Sequence, residues 1–577
     1  MNHTRPLRFG LICGGTTFPT WVAHCLQNLL ALEEVQAGLL IIHATPGSLH
    51  VWKEKLKGVL RFKSLIWGLY KSYADIRSAA LRPVDMASTF SEVPRVYCDA
   101  LRRGKFTESI SDEKVAEIRK CDLDFILNFG VGVVGEEILG VPRYGVWSFH
   151  HGDNEKYQGG PPCFWEIYFG DAVTGATLKR ATQCSHMSTA LYRGFFKTVD
   201  QSYFRNRDVV FLGSADWPVR VCKDILNGNA AYLFASPMSS AAPIYKAPSN
   251  GQMLLFLLKV IRNFLWNQFN SLFRSDQWNV GIVYAPIYKL LSSETPPRIH
   301  WFPQEDRTLS LADPFAIRQG EKTIVLVEKY DHRAAKGFIC AMESREDNSF
   351  SPPRPVMNLP AHVSYPYLLV HNGNIYCIPG TEGELEVNLY EARSFPDQWV
   401  KVASLIRGFP AVDPTVFYRE GLWWLLCTNG ESGPDSKLFC WYAADLLGPW
   451  LPHGANPLKT DVRSSRPAGT PFVHNGQLYR PAQDGSRTYG GAVVINRVSR
   501  LTPMEFQEEA IAVVRPSPDS PYSDGLHTIS AAGDFTLADG KRRVFIRHGF
   551  QKALRSKINR TIRIAFRCFK HETALCC

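Results

Sequence analysis

At 577 residues the chain is too long for a single hydrophobic core, so two or more domains are expected. Its 45% hydrophobic and 21% charged residues exclude a disordered or fibrous protein. The formal net charge of +11 is local: 541–570 holds eleven Lys and Arg with no Asp or Glu, and the near-neutral remainder rules against a broadly basic nucleic-acid-binding body.

The first residues run into a short strand-like stretch, 9–13, without the apolar run and cleavage site of a secretory signal, so a cytoplasmic location is expected. Fourteen scattered cysteines show no C-x-x-C and no zinc-like pairing with histidine, which points to reduced thiols and no metal. Apolar strand-like runs at 7–13, 38–43, 125–129 and 145–149 alternate with helical patterns such as 21–35, predicting βαβ units and a mostly parallel sheet over 1–200. Ser148, His150 and Asp153 follow the last of these runs, ahead of a Gly/Pro loop at 157–162 and Gly170-Asp171. Polar residues ending a strand are how α/β proteins present reactive groups at the carboxyl edge of a sheet.

This stretch resembles the formyltransferase domain of methionyl-tRNA and sugar N-formyltransferases. His150 falls on the family histidine, Gly159 and Pro162 keep their distances from it, and Gly170, Asp171, Thr174, Gly175 and Thr177 match the next block. The resemblance implies a Rossmann-like α/β fold and transfer of a formyl group from 10-formyltetrahydrofolate to an amine. His150 would then be the oxyanion donor and proton shuttle. Gly130, Val131, Gly132 and Val133 look like the segment that borders the folate pocket. Ser148 stands at the family asparagine, His186 at the family aspartate and Gln158 at the loop arginine, with Asp153 a candidate replacement acid.

Residues 201–293 read as a helical bridge. Within it 253–273 is long and apolar, but Lys259, Asn263, Asn267 and Asn270 recur at three- and four-residue spacing, which predicts an amphipathic helix rather than a membrane span. It either packs on a neighbouring domain or lies on a membrane surface.

From 294 to 550 the texture changes to short strands broken by Gly, Pro and Asn. Copies of an apolar strand, a turn glycine and a second strand start at Pro314, Pro366, Pro414, Pro471 and His527, spaced 52, 48, 57 and 56 residues apart. A period near 50 with hairpin texture predicts a five-bladed β-propeller. Asp313, Glu382, Asp413, Arg466, Asp484 and His527 stand near blade starts, where side chains converge on one mouth of the channel. The paired Asp-Pro motifs resemble family-43 glycoside hydrolases, and more closely the propeller-like domain of plant glucosamine inositolphosphorylceramide transferases.

By the first resemblance Asp313 would be a general base and Asp413 a modulator of the acid's pKa. The family's acid, however, falls on Arg466, so carbohydrate binding is favoured over hydrolysis. The combined expectation is formyl transfer to an amino sugar, with the propeller holding the glycan. The alternative is a degenerate formyltransferase domain on a glycan-binding or glycoside-hydrolase-like propeller. Beyond 550, the segment 551–577 mixes basic with apolar residues. Contact with an anionic membrane surface or acidic glycan is expected of it, against a solvated helix or nucleic acid.

Overall fold

The computed structural model describes residues 5–43, 62–98, 101–102, 107–130, 133–182, 187–292, 295–304, 306, 308–347, 349–381 and 383–545. Val131, Gly132, His186, Glu382 and the tail 551–577 therefore lie outside the described residues, and Val133 is described in its backbone alone.

The N-terminal half is built on an eight-stranded sheet: β1 (Leu7–Cys13), β2 (Val35–His43), β3 (Arg95–Cys98), β4 (Phe125–Asn128), β5 (Val146–His150), β6 (Val173–Ala181), β7 (Met187–Lys197) and β8 (Met238–Ser239). Their order is β8-β7-β6-β5-β4-β1-β2-β3. The five strands from β3 to β5 pair in parallel, and β6, β7 and β8 continue the sheet antiparallel. The strand order reverses between β1 and β4, and in open α/β sheets ligands sit at the carboxyl ends of strands beside such a switch point.

Alternation along the strands sends Leu127, Trp147 and Phe149 to one face and Ile126 and Val146 to the other, so the sheet carries a core on each side. The helix α1 (Thr20–Leu30) buries Trp21, Val22, Cys25, Leu26 and Leu29, one stripe at helical spacing, against the first face. The short α2 and α3, Leu65–Arg77 and Trp165–Phe169, pack together in a separate aromatic cluster. Ten described cysteines are free thiols and nine of them are buried.

Two helices expected in the bridge belong to this domain instead. In α4 (Tyr203–Ser214) and α5 (Trp217–Leu226), Val210, Phe211, Trp217, Val221, Cys222 and Ile225 are buried in the same core as α1. Only α6 (Asn250–Phe273) bridges, opened by a capping box between Ser249 and Gln252.

The C-terminal half is a five-bladed β-propeller, as the repeat predicts. Four blades are antiparallel meanders within 309–357, 363–407, 411–460 and 472–514, four-stranded except the third, to which the short strand 459–460 adds a fifth. The repeated turn has a physical cause: Asn372-Gly373, Glu420-Gly421 and Asn475-Gly476 all have positive φ at both residues, the hairpin turn whose twist matches the strands. The fifth blade closes the ring with strands from both ends of the domain. β9 (Arg274–Val283) pairs antiparallel with the chain's last described strand, Phe535–Phe545, along its whole length, and His300–Trp301 and Ile529–Ala532 flank that pair. The boundary at 294 thus cuts through a blade, because β9 carries no repeat signature of its own.

Two strands of the ring matter for the site: β10 (Leu309–Gln319) and β11 (Ala411–Arg419). Each is broken by a bulge, between Ala312 and Phe315 and between Val412 and Thr415. The strand 363–371 has the same bulge between Ser364 and Tyr367.

The halves are fastened through 437–463. The Val462 amide donates to the Phe195 carbonyl at 3.0 Å, Lys437 Nζ pairs with Asp216 at 2.8 Å, and the Arg463 guanidinium lies 3.8 Å from the Phe195 ring centroid.

Candidate functional site

In the propeller, the three bulges place Asp313, Tyr365 and Asp413 at φ of 50°, 45° and 53°, each immediately before a proline. Backbone in this region is strained for residues with a Cβ, and such strain collects where a fold must aim a side chain. All three side chains are buried. The resemblance-based list includes both aspartates but misses Tyr365. Its signal was present, since it holds the matching position ahead of Pro366 in the blade alignment.

Around Asp313 the contacts are dense. Thr528 Oγ1 donates to Asp313 Oδ1 at 2.6 Å, and the Tyr365 amide donates to Oδ2 at 3.3 Å. Asp539, within the closing strand, accepts from the amides of Asp313, His527 and Thr528. His527 Nδ1 lies 2.5 Å from Asp539 and its Nε2 3.9 Å from Asp313 Oδ1, while the ring stacks on Trp278 at 3.9 Å. Burial pushes the Asp313 carboxyl up to about 6, eased by His527 and reinforced by Asp413 and Asp539. Burial opposes protonation of His527, but Asp539 and Asp313 overcome it and raise its pKa. Asp313, His527 and Asp539 each bring a ligand atom within 4.8 Å of the others, a set that could hold a metal ion.

Asp413 is committed differently. Arg466 Nε donates to its Oδ2 at 2.6 Å and Nη2 to its Oδ1 at 3.4 Å, and Gln483 Nε2 adds a bond at 3.0 Å. Arg466 also reaches Asp435 at 3.0 Å and the Tyr489 hydroxyl at 3.4 Å. A guanidinium and an amide therefore occupy both oxygens of Asp413. Glu328 is the buried carboxyl whose pKa stands well above its usual range, through burial first and then Asp313, Asp413 and Asp539. Its carboxylate lies 3.6 Å from His362 Nε2.

Asp484 does not join this group: its Oδ1 accepts from the Ser486 amide at 3.0 Å and holds the turn. The ring of Tyr489, partly open to solvent, lies edge-on to His527 and offers an aromatic face beside the polar cluster. Gln483, Tyr489 and Asp539 lie outside the repeated motif, so the blade alignment has no means of marking them.

At the sheet edge, strand alternation puts Ser148 and His150 on the face opposite Trp147 and Phe149. Antiparallel register sets Lys179 of β6 directly across from Ser148 and Thr177 across from His150, and directly opposed residues share a face. His150 Nε2 lies 3.0 Å from the Tyr157 carbonyl oxygen. A carbonyl only accepts, so Nε2 carries the proton and Nδ1 keeps its lone pair.

Burial, helped by Lys179, lowers the His150 pKa to about 4 and keeps the ring neutral. In this state Nδ1 is left able to accept a proton. Glu166 of α3 lies on the other side of Gly152, whose added Cβ would meet His150 Nε2 at 3.3 Å and Glu166 Oε1 at 3.5 Å. Burial lifts Glu166 to about 7 against the pull of its own and Asp153's amides. Asp153 spends its Oδ1 on the Glu155 amide at 3.1 Å, while its own amide donates to Glu166. Lys179 and Glu166 were missed because neither sits in the matched motif. Gly130 donates its amide to Asn128 Oδ1 at 2.9 Å.

The two halves meet between these centres: Arg463, in the connection from the third to the fourth blade, is held by Asp461 and also feels Asp153 of the sheet domain and Asp484 of the propeller. A cavity of about 590 Å³ is lined from both halves, by Lys197 of the sheet domain and by Arg274, Asp276, His332, Arg487 and Arg543 of the propeller among others.

The chain thus combines an α/β domain with a half-buried histidine at the carboxyl edge of its sheet and a five-bladed propeller with an acidic centre crossed by one arginine. Within it, 305–520 match a family model described as glucosamine inositolphosphorylceramide transferase 1, N-terminal. Glucosamine inositolphosphorylceramide transferase 1 of Arabidopsis thaliana is 32% identical over 204 residues, 34% of this chain and 26% of that protein. Methionyl-tRNA formyltransferase of Clostridium perfringens is 33% identical over 66 residues, 11% of this chain and 21% of that protein. The chain spans about a quarter of the length of these curated relatives. A family 117 glycoside hydrolase from Zobellia galactanivorans aligns at a TM-score of 0.31 with 16% identity, over 47% of this chain and 91% of that one.

Proposed function

We propose that the sheet domain transfers a formyl group to the amine of an amino sugar, and that the propeller centre binds the carbohydrate. The observation that carries this reading is the placement of His150, its Nε2 held by the Tyr157 carbonyl, and the buried Glu166 on either side of Gly152. The donor chemistry fits a carried formyl group: the Ser148 hydroxyl and Lys179 ammonium are hydrogen-bond donors on the face that bears His150. When bound, 10-formyltetrahydrofolate would supply the formyl group, with Gly130 and Val133 on the bordering segment.

In this reading His150 Nδ1 takes the proton that the acceptor amine sheds as its nitrogen bonds the formyl carbon and would return it to the folate nitrogen as that carbon–nitrogen bond breaks, while Ser148 and Lys179 donate to the oxygen on which negative charge grows. Glu166, once ionised, stabilises the imidazolium that results. In the propeller, Asp313 and Asp413 accept from sugar hydroxyls while Tyr489 lies under an apolar sugar face. Binding is favoured over hydrolysis because Arg466 pins Asp413 with two hydrogen bonds and brings no transferable proton.

The test is to incubate the protein with 10-formyltetrahydrofolate and a panel of nucleotide-linked and free amino sugars. Formylation should fall by a factor on the order of 10² to 10⁴ in His150→Ala. Formylation untouched by that change, or no folate binding, would sink the proposal. The rate should also rise through about pH 7 as Glu166 ionises, and Glu166→Gln should remove that limb.

A further inference from the structure

α6 is amphipathic in the reverse sense from a helix that docks by its apolar side. Its polar stripe faces the protein: Lys259 Nζ donates to the Tyr168 carbonyl, Asn263 to the Asp200 carbonyl at 3.4 Å and Asn267 to the Asp200 carboxylate at 3.5 Å. Met253 and Phe256 are its two fully buried anchors, and Phe256 stacks on Phe164 at 4.4 Å. The opposite face carries Leu254, Leu258, Ile261, Leu265, Trp266 and Phe269, and all six are exposed, Leu258 at 65% and Leu265 at 60%. A continuous apolar surface of this kind marks an interaction site.

We propose that this face docks onto a lipid bilayer with an anionic surface, α6 lying in the interface plane. No helix among the described residues is long and apolar enough to cross a membrane. The charge pattern selects the occupant. α6 has no Asp or Glu; Arg262 lies within its outward arc and Arg274 follows it, its guanidinium 5.5 Å from the Trp266 ring. At the same end Phe273 stacks on Phe545 at 6.0 Å, so the chain leaves the described structure beside the apolar face. The next stretch, 546–570, contains eight Lys and Arg and no acidic residue.

A second copy would bring like charges together, and the tail laid on α6 would find no counter-charge there. Anionic headgroups supply that counter-charge, and the acyl boundary accepts the leucine and aromatic face.

The test is co-sedimentation of the full chain with vesicles of phosphatidylcholine, alone or mixed with phosphatidylserine. The protein should bind the mixed vesicles and be released by salt. Leu258→Asp/Leu265→Asp, at exposed positions that leave the core intact, should weaken binding on the order of tenfold or more. Replacing the eight basic residues of 546–570 with glutamine should also weaken it. Absence of binding, or binding indifferent to both variants, overturns the proposal. Self-association without lipid that Leu258→Asp/Leu265→Asp disperses would identify a second copy as the occupant. Apolar dye binding that appears only on removal of 546–577, and is lost in the same variant, would identify the tail. Either result also overturns the proposal.

Discussion

Glu508→Ala should destabilise the propeller by about 3–5 kcal/mol, because it strands a buried guanidinium and a partly buried ammonium. Glu508 lies on the fourth blade's outer strand, Phe506–Val514, with its side chain 3% exposed. Arg480 Nη2 donates to it at 2.6 Å and Nε at 2.9 Å, and Lys459 Nζ adds a bond at 2.7 Å. Arg480 is itself buried, with its remaining donors on the Ser464 and Ser465 carbonyls. Nothing on that network can take up the charge once the carboxylate is gone.

The pH dependence has a defined sign. Burial works against the Glu508 charge, but Arg480 and Lys459 win and hold its pKa at about 2, below an ordinary value near 4.5. Its stabilisation is complete above about 4.5 and is lost as pH falls towards 2. The gap in unfolding midpoint between wild type and Glu508→Gln should therefore be widest near neutrality and shrink through that window. A gap that stays constant with pH would remove the electrostatic account.

Gly469→Ala should cost a comparable amount, about 3–5 kcal/mol, by a steric route. Gly469 has φ of 113°, and an added Cβ would stand 1.7 Å from the Ile529 carbonyl oxygen, a backbone atom that cannot swing away. The residue also joins the fourth blade to the fifth through a bridge with Ile529 and donates its amide to the Tyr365 hydroxyl at 2.8 Å. Limited proteolysis should show cleavage near that seam in the variant before any in the sheet domain. Gly251→Ala, where an added Cβ meets nothing within 4 Å, is the control that should change little.

Much of the propeller was legible because its repeats are local. Turns with positive φ at consecutive residues select glycine at the second of them, and bulges before proline recur where a side chain is aimed inward, so both leave a mark at fixed spacing. Closure left no such mark, since β9 finds its partner at the far end of the domain. The side that α6 turns inward was illegible for another reason. Periodicity reveals that a helix has two faces, but Tyr168 and Asp200 decide which of them meets the protein. At the sheet edge, motif matching found His150, yet its proton position depends on the Tyr157 carbonyl. Glu166 stood outside the matched block and was passed over.

The shared fifth blade also constrains synthesis. β9 leaves the ribosome before any complete blade and must wait, unpaired along that edge, until Phe535–Phe545 is made. Closing a ring between such distant segments is slow, and an open strand edge is prone to pair wrongly meanwhile. The sheet domain, complete by then, stands next to β9 through α6. Ring closure can therefore come only after that last strand is made.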